Sequence, residues 1–229
     1  MNEVLELKVT PKNAEIGSLL ELLQHGAITH AETWHCGREE MLRDYNCVWM
    51  IVRTWVKLQE PVPVRELELR TWTRPLSRSM SRREFDVLCD GRVIAEAVQG
   101  WVLTDVDTRR MRNMTGVSQM VAAPCCQNGK DAPLRRPSLP AERELLGRVT
   151  VRQEDIDING HLNNAQYPRY ALSVLPDRPV SEMLLSYSRE CFVGDEIEIW
   201  GKTDGDTAWL QGLVNGHDSF DLQVTFFPG

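Results

Sequence analysis

The segment from Asp155 to Asn164, DIDINGHLNN, carries the densest group of reactive side chains in the sequence. It combines carboxylates, an imidazole and carboxamides. A carboxylate or an imidazole can take a proton from water, and carboxamides can donate hydrogen bonds to a developing oxyanion. A second polar group, Arg189-Glu190-Cys191, follows one predicted helix and one turn later. If the fold joins the two groups, the sequence predicts a hydrolytic site.

The bulk composition indicates a globular protein. The chain has 229 residues and is 42% hydrophobic, enough to bury one large core or two small ones. No apolar run is long enough to span a bilayer, and the opening MNEVLELKVT alternates like a strand rather than resembling a signal peptide. We therefore expect a soluble, cytoplasmic protein. The formal net charge of −7 argues against nucleic-acid binding.

The cysteines do not form a recognisable metal or disulfide pattern. They stand at positions 36, 47, 89, 125, 126 and 191. The adjacent pair at 125 and 126 is too tight for ordinary zinc-ligand geometry, and the other spacings fit no disulfide framework. We therefore expect free thiols, and neither a metal nor another cofactor.

The first half of the chain is predicted to be a helix followed by an antiparallel meander. Apolar residues recur at helical spacing, which predicts a helix from 14 to about 28 that ends near Gly26. Alternating patterns then predict strands at 48–58, 64–73, 81–88 and 92–104. Asp90-Gly91 is typical of a hairpin turn between the last two strands.

A proline-rich segment, predicted to be a surface linker, separates this half from the second. Beyond it the pattern predicts a helix from Leu162 to Leu175. Strands are predicted at 147–153, 183–191, 196–202, 208–214 and 220–227. Asn215-Gly216 again marks a turn.

The two halves share the order of strand, helix and about four antiparallel strands, which indicates an internal duplication. Glu66-Leu67-Glu68-Leu69 in the first half corresponds to Glu196-Ile197-Glu198-Ile199 in the second. We predict an N-terminal repeat at 1–122, a linker at 123–142 and a C-terminal repeat at 143–229. The predicted fold is α+β, a tandem (double) hot-dog in which each repeat is a long helix wrapped by a curved antiparallel sheet.

Four residues around the polar motif are expected to have structural roles. Asp155 has the chemistry of a turn or cap residue, and Asn163 and Asn164 that of helix caps. Pro168 lies inside the predicted helix, where it cannot donate a backbone hydrogen bond. The helix is therefore expected either to start late or to be kinked.

The motifs DIDINGHLNNAQY at 155–167 and SYSREC at 186–191 resemble the acyl-ACP thioesterases, the plant-type enzymes and their bacterial relatives. WVKLQEPVPVRELELRTWTR and WVLTDVDTRRM resemble the first repeat of that family, so the resemblance covers most of the chain. It implies a double hot-dog enzyme that hydrolyses acyl groups from acyl carrier protein (ACP) and ends fatty acid synthesis.

The resemblance also implies which residues do the chemistry. Asp157, Asn159 and His161 fall on the family's D-x-N-x-H positions, and Glu190 and Cys191 on its downstream pair. In one assignment Glu190 and His161 activate water, Asn159 orients the water or the substrate, and Asp157 fixes the backbone or a neighbouring side chain. In the other, Cys191 is a nucleophile activated by His161, with Asn159 as the orienting residue. We favour the first, because neighbours on a strand point to opposite faces and the thiol has the character of a buried apolar group.

The resemblance places an apolar slot for the acyl chain mainly in the first repeat. Trp49 or Met50 could set the length of chain that it accepts. A single chain would already hold the paired repeats, so either a monomer or a homodimer is expected.

Arginines are clustered in the first half despite the negative net charge. Carrier proteins are strongly acidic, so such a cluster could guide docking. The alternative is ordinary solvated loop charge. The predicted docking residues are Arg74, Arg78, Arg82, Arg83, Arg109 and Arg110.

Two other functions remain open from the sequence. An acyl-CoA thioesterase would use the same chemistry on a different carrier. A non-catalytic acyl-binding hot-dog module would use the same fold without chemistry, because a fold does not fix a function.

Overall fold

The computed structural model describes residues 3–117, 123–127 and 129–229. The strands are β1 Val4–Val9, β2 Cys47–Leu58, β3 Leu67–Thr73, β4 Ser81–Cys89, β5 Arg92–Asp105, β6 Glu144–Thr150, β7 Val180–Tyr187, β8 Glu196–Asp204, β9 Thr207–Val214 and β10 His217–Phe226. The α-helices are α1 Ile16–Thr33, α2 Arg38–Tyr45 and α3 Tyr167–Leu172. In the described part of the chain, no helix has both the length and the apolarity needed to cross a membrane.

The strands form one ten-stranded antiparallel sheet in the order β1-β3-β4-β5-β2-β7-β10-β9-β8-β6. When the five strands of each half are counted in chain order, both halves run first, third, fourth, fifth and second from the edge of the sheet to its centre. β2 and β7 pair at the centre, with Arg53 opposite Ser186 and Lys57 opposite Glu182. This repeated order is the one that an internal duplication predicts.

The hairpin turns fall where the sequence predicts them. Asp90 and Gly91 have φ values of 50° and 77°, and Asn215 and Gly216 have 51° and 76°. Two consecutive positive φ values produce the twist that joins antiparallel strands through a two-residue turn. The predicted turns at both sites are confirmed.

The long helix α1 buries one apolar face against the first half of the sheet. Ile16, Leu19 and Leu23 on this face are buried. The predicted end near Gly26 is wrong, since the helix continues to Thr33. A Cβ at Gly26 would lie 2.7 Å from Leu69 Cδ2 on β3, so this glycine allows close helix–sheet packing rather than ending the helix.

The second repeat has no long helix among its described residues, which corrects the prediction of a helix from Leu162 to Leu175. A 3-10 turn at Asn164–Gln166 leads into the six-residue α3. Pro168 lies in the first turn of α3, where a missing N–H is tolerated. The expected late start of this helix is therefore confirmed. The expected cap role of Asn163 is also confirmed, because its side chain accepts a hydrogen bond from Ala165 N.

The linker, here the described residues 123–127 and 129–142, crosses the outer face of the sheet. Glu84 on β4 is fully buried beneath it and accepts hydrogen bonds from Arg82 Nε and the backbone N of Lys130, both at 2.9 Å. Leu134 packs against Trp55 on the same face. Buried charge contacts therefore hold the linker to the first repeat.

Replacement of Glu84 by alanine should lower the free energy of unfolding by about 3 kcal/mol, because it leaves Arg82 and the Lys130 N–H without their buried acceptor. Urea unfolding followed by tryptophan fluorescence measures this change. Glu142→Ala is the matched control, since the Glu142 side chain is 93% exposed. Equal stability of the two variants would contradict a clamping role for Glu84.

Candidate active site

The polar loop that precedes α3 is shaped by Asp157. Its Oδ1 accepts hydrogen bonds from Asn159 N at 2.8 Å and from His161 N at 3.3 Å. Its backbone N donates to His161 O at 2.8 Å. Gly160 completes the turn with a φ of 83°, a value that favours glycine. Asp157 therefore fixes the loop conformation, which is the role that the water-activation assignment gives it.

Asp155 anchors this loop in the core and is more than the turn or cap residue expected from the sequence. Its buried Oδ2 accepts a hydrogen bond from Tyr170 Oη at 2.6 Å and pairs with Arg169 Nη2 at 2.5 Å. Both partners belong to α3. The carboxylate thus ties the start of the loop to the helix that follows it.

The loop and the Arg189-Glu190-Cys191 segment lie side by side, as the hydrolytic hypothesis requires. The backbone N of Leu162 donates to Cys191 O at 2.8 Å. His161 Nδ1 is 3.2 Å from Glu190 Oε1, and the two side chains are 20% and 30% exposed. An ionised carboxylate can only accept, so it fixes the proton on Nδ1 and leaves Nε2 to act as an acceptor.

Glu190 and Cys191 do not belong to a strand, which corrects the predicted strand 183–191. β7 ends at Tyr187, and the next two backbone N–H groups both donate to Ser219 O. The strand-alternation argument therefore does not apply. The side chains nevertheless point apart, because Glu190 lines the cavity described below whereas Cys191 is fully buried.

The environment of Cys191 does not activate its thiol. Sγ lies 2.9 Å from Ser219 Oγ, and burial raises the pKa of Cys191 above its usual range. A raised pKa keeps the thiol protonated at neutral pH, whereas the thiolate is the nucleophilic form. The geometry thus favours the assignment in which Glu190 and His161 activate water.

Two arginines reach this site from the first repeat. Arg38, the first residue of α2, donates to Asn159 Oδ1 from Nε at 3.2 Å and from Nη2 at 3.1 Å. Arg109 Nη1 lies 3.8 Å from Glu190 Oε1. Sequence reasoning assigns Arg109 only to docking and misses Arg38. No local pattern could have found Arg38, because its partner is 121 positions away.

A large cavity of about 1920 Å³ opens beside these groups. Both repeats line it: Leu162 and Tyr187 form apolar walls in the second, and Trp101 does so in the first. Trp49 and Met50 also line it, and Trp49 Nε1 is held by Cys36 O at 2.9 Å. Their predicted role in setting chain length stays a prediction.

The structure divides the predicted docking arginines into two groups. Arg78, Arg109 and Arg110 are exposed. Arg74, Arg82 and Arg83 are engaged within the protein: the first two contact Glu84 and the linker, and Arg83 is buried. The Arg83 guanidinium is buried, and the Arg74 and Arg82 side chains, 25% and 26% exposed, are already paired with Glu84, so none of the three is free to meet a carrier protein. We therefore withdraw these three residues from the docking hypothesis.

The two-fold strand order and the helix packed on the sheet define a tandem hot-dog protein, and solved structures confirm this class. An acyl-ACP thioesterase from Bacteroides thetaiotaomicron is 21% identical and matches 98% of both chains with a TM-score of 0.88. A 12:0-ACP thioesterase from Umbellularia californica is 19% identical, with a TM-score of 0.82 over 100% of this chain and 99% of that one.

Family models agree with this class. The acyl-ACP thioesterase N-terminal domain matches residues 8–118, and the acyl-ACP thioesterase C-terminal domain matches residues 140–219. The chain therefore belongs to the acyl-ACP thioesterase family.

Curated relatives are longer than this chain. Oleoyl-acyl carrier protein thioesterase 2 of Arabidopsis thaliana is 26% identical over 82% of this chain and 57% of its own length. Dodecanoyl-[acyl-carrier-protein] hydrolase of Cinnamomum camphora is 23% identical over 90% of this chain and 59% of its own length. The chain thus spans about three-fifths of the length of these relatives.

Iodoacetamide treatment of the native protein should alkylate Cys89, which is part-exposed and outside the cavity lining, at least about tenfold faster than Cys191, because Cys191 is buried and its pKa is raised. Peptide mass spectrometry over time measures each rate. If the protein hydrolyses a thioester, that activity should persist while Cys191 remains unlabelled. Rapid labelling of Cys191 with parallel loss of activity would instead support the cysteine nucleophile.

Proposed function

We propose that the protein hydrolyses the acyl thioester of acyl-ACP to a free fatty acid and holo-ACP, which ends chain elongation. The observation that carries the proposal is the contact of 3.2 Å between His161 and Glu190 at the wall of a large cavity. The family and the names of its relatives agree with this reaction.

In this proposal His161, oriented by Glu190, takes a proton from water through Nε2 as the water oxygen attacks the acyl carbonyl carbon. The C–O bond forms, and the carbonyl electrons move onto oxygen. When the tetrahedral intermediate collapses, the C–S bond breaks and the imidazolium returns its proton to the sulfur. The acyl group leaves as a carboxylic acid, and the carrier retains a free thiol.

Asn159 is suited to stabilise the oxyanion in this reaction. Its Oδ1 is held by Arg38, and one hydrogen of Nδ2 is directed to Asp157 Oδ2 at 3.2 Å. A carboxamide nitrogen carries two hydrogens, so the second can donate to the substrate oxygen. Arg38 thereby serves as a positioning residue for Asn159.

Glu190→Gln should lower kcat for an acyl-ACP by about 10²–10⁴-fold, because the neutral amide can accept from Nδ1–H but lacks the negative charge that stabilises the imidazolium formed during proton transfer. Cys191→Ala, its neighbour, is the matched control and should retain kcat within about tenfold, since its thiol lies outside the cavity. Release of free thiol, followed with a chromogenic disulfide, measures both. Full activity of the glutamine variant would refute the water-activation assignment. If the wild-type protein bound an acyl-ACP without releasing thiol, the protein would be a non-catalytic acyl-binding module and not an enzyme.

We propose that the carrier protein docks around the cavity entrance. Arg78, Arg109 and Arg110 are the exposed cations of the first repeat retained for this role, and Arg109 lines the cavity. Ile158, which is 85% exposed, and the half-exposed Phe192 add apolar surface beside His161. Such a surface suits an acidic partner that delivers an acyl chain. One chain contains all these groups, so both a monomer and a homodimer are compatible with docking.

Charge reversal of both Arg78 and Arg110 should raise KM for acyl-ACP by roughly tenfold, because attraction to the acidic carrier is lost. KM for the same acyl group on pantetheine or coenzyme A should change much less, since these carriers lack the protein surface. The control is the double variant Arg65→Glu with Arg92→Glu, which reverses the same number of charges at exposed sites outside the cavity lining. Equal effects on all three carriers would discount docking at Arg78 and Arg110. A higher kcat/KM of the wild-type protein for acyl-CoA than for acyl-ACP would favour the acyl-CoA thioesterase.

A further inference from the structure

The first repeat places a buried arginine in the wall of the cavity. Arg83 on β4 is only 6% exposed and lines the cavity. Its Nη1 lies 3.0 Å from His30 Nδ1 and donates to Thr71 Oγ1 at 3.2 Å. Both contacts use Nη1, so within the described residues Nε and Nη2 have no protein acceptor.

Arg83 differs from the sheet arginines Arg70, Arg82, Arg92 and Arg148 in having no carboxylate partner among the described residues. Arg82, its neighbour, pairs with Glu84, whereas no described carboxylate forms an ion pair with Arg83. Burial alone lowers the pKa of Arg83 to about 9, so the group remains protonated at neutral pH. A buried cation without an anion is costly, and an anionic group that enters the cavity would offset this cost.

A second unsatisfied donor lies next to Arg83. Trp34 Nε1 is buried and has no hydrogen-bond partner in the described part of the chain. The indole ring lines the cavity and is tilted against His30, with 4.0 Å between ring centroids. The Arg83 guanidinium carbon lies over the indole ring, 5.6 Å from its centroid. Two adjacent groups that only donate require an acceptor oxygen.

The sheet register separates Arg83 from β7 by three strand spacings. Arg83 on β4 lies opposite Gln99 on β5, Gln99 opposite Thr54 on β2, and Thr54 opposite Leu185 on β7. β7 is the strand that leads to Glu190. Three strand spacings of about 4.8 Å correspond to roughly 14 Å along the sheet. A group bound at Arg83 would therefore belong to a distant part of the acyl chain, not to the thioester.

We propose that Arg83 and Trp34 form a subsite for a carboxylate on the distal part of the acyl chain. The preferred ligands are then acyl groups with a carboxylate end rather than a methyl end. A guanidinium can hold a carboxylate through two parallel hydrogen bonds, and the indole N–H can donate a third. The inference rests on the proposed function for the thioester end, but binding at the subsite does not require hydrolysis.

The test uses non-hydrolysable acylamide analogues of pantetheine, in matched lengths that end in either a methyl or a carboxylate group. Isothermal titration calorimetry should show at least about tenfold tighter binding of the carboxylate-ended ligand at the length that reaches Arg83. Arg83→Met should abolish this preference and leave affinity for the methyl-ended ligand unchanged or improved. Tighter binding of the methyl-ended ligand at every length, or an equal loss for both ligands in the variant, would overturn the subsite.

Trp34→Phe provides a second variant in case the methionine variant does not fold. It keeps the aromatic packing but removes the N–H, and should reduce the preference about threefold without affecting methyl-ended ligands. An unchanged preference would remove Trp34 from the subsite. If the carboxylate-ended analogues bind as expected but no acyl-ACP is hydrolysed, the proposed function fails while the subsite stands. If acyl-ACP is hydrolysed but no carboxylate preference is measured, the subsite fails while the proposed function stands.

Discussion

The antiparallel pairing of β2 with β7 is the contact on which the rest of the molecule depends. It converts two five-stranded halves into one sheet, and the candidate site lies at this junction. α2, which directly precedes β2, carries Arg38, and the turn after β7 carries Glu190. A slip of one residue in this register would turn every side chain of one half to the other face. The register therefore fixes both the shared core and the meeting of the two repeats at the cavity.

Most of the sheet could be predicted from the sequence, because period-two patterns and Asp-Gly or Asn-Gly pairs are local signals. The helices are harder to predict. Gly26 has the sequence character of a stop signal, but it faces Leu69 and serves close packing inside α1. α2 escapes prediction because Met41 is its only buried residue, so it has no apolar period. Pro168 correctly indicates that the second helix begins late, although not that it has only six residues.

The proximity of His161 and Glu190 could be predicted from their residue types and from the family resemblance, but not from any local sequence pattern. The contacts of Arg38 and Arg109 depend on distant chain segments and could not be predicted from spacing. The same limit applies to the arginines at positions 82 and 83. They are identical in charge, yet alternation along β4 turns one toward the linker and the other into the cavity. A sequence shows that charges cluster, but only the register shows which face each one occupies.

The repeats have the same strand order but contribute different parts of the candidate site. The second repeat carries the motif residues, and the first provides much of the cavity wall. This separation has an evolutionary consequence. Substitutions in the first copy can reshape the volume offered to a ligand while the proton-transfer groups in the second copy remain untouched. Duplication would thus free one copy to diversify under selection for different lipids. The two arginines that reach the site across the boundary, and the pairing of β2 with β7, would restrict that freedom.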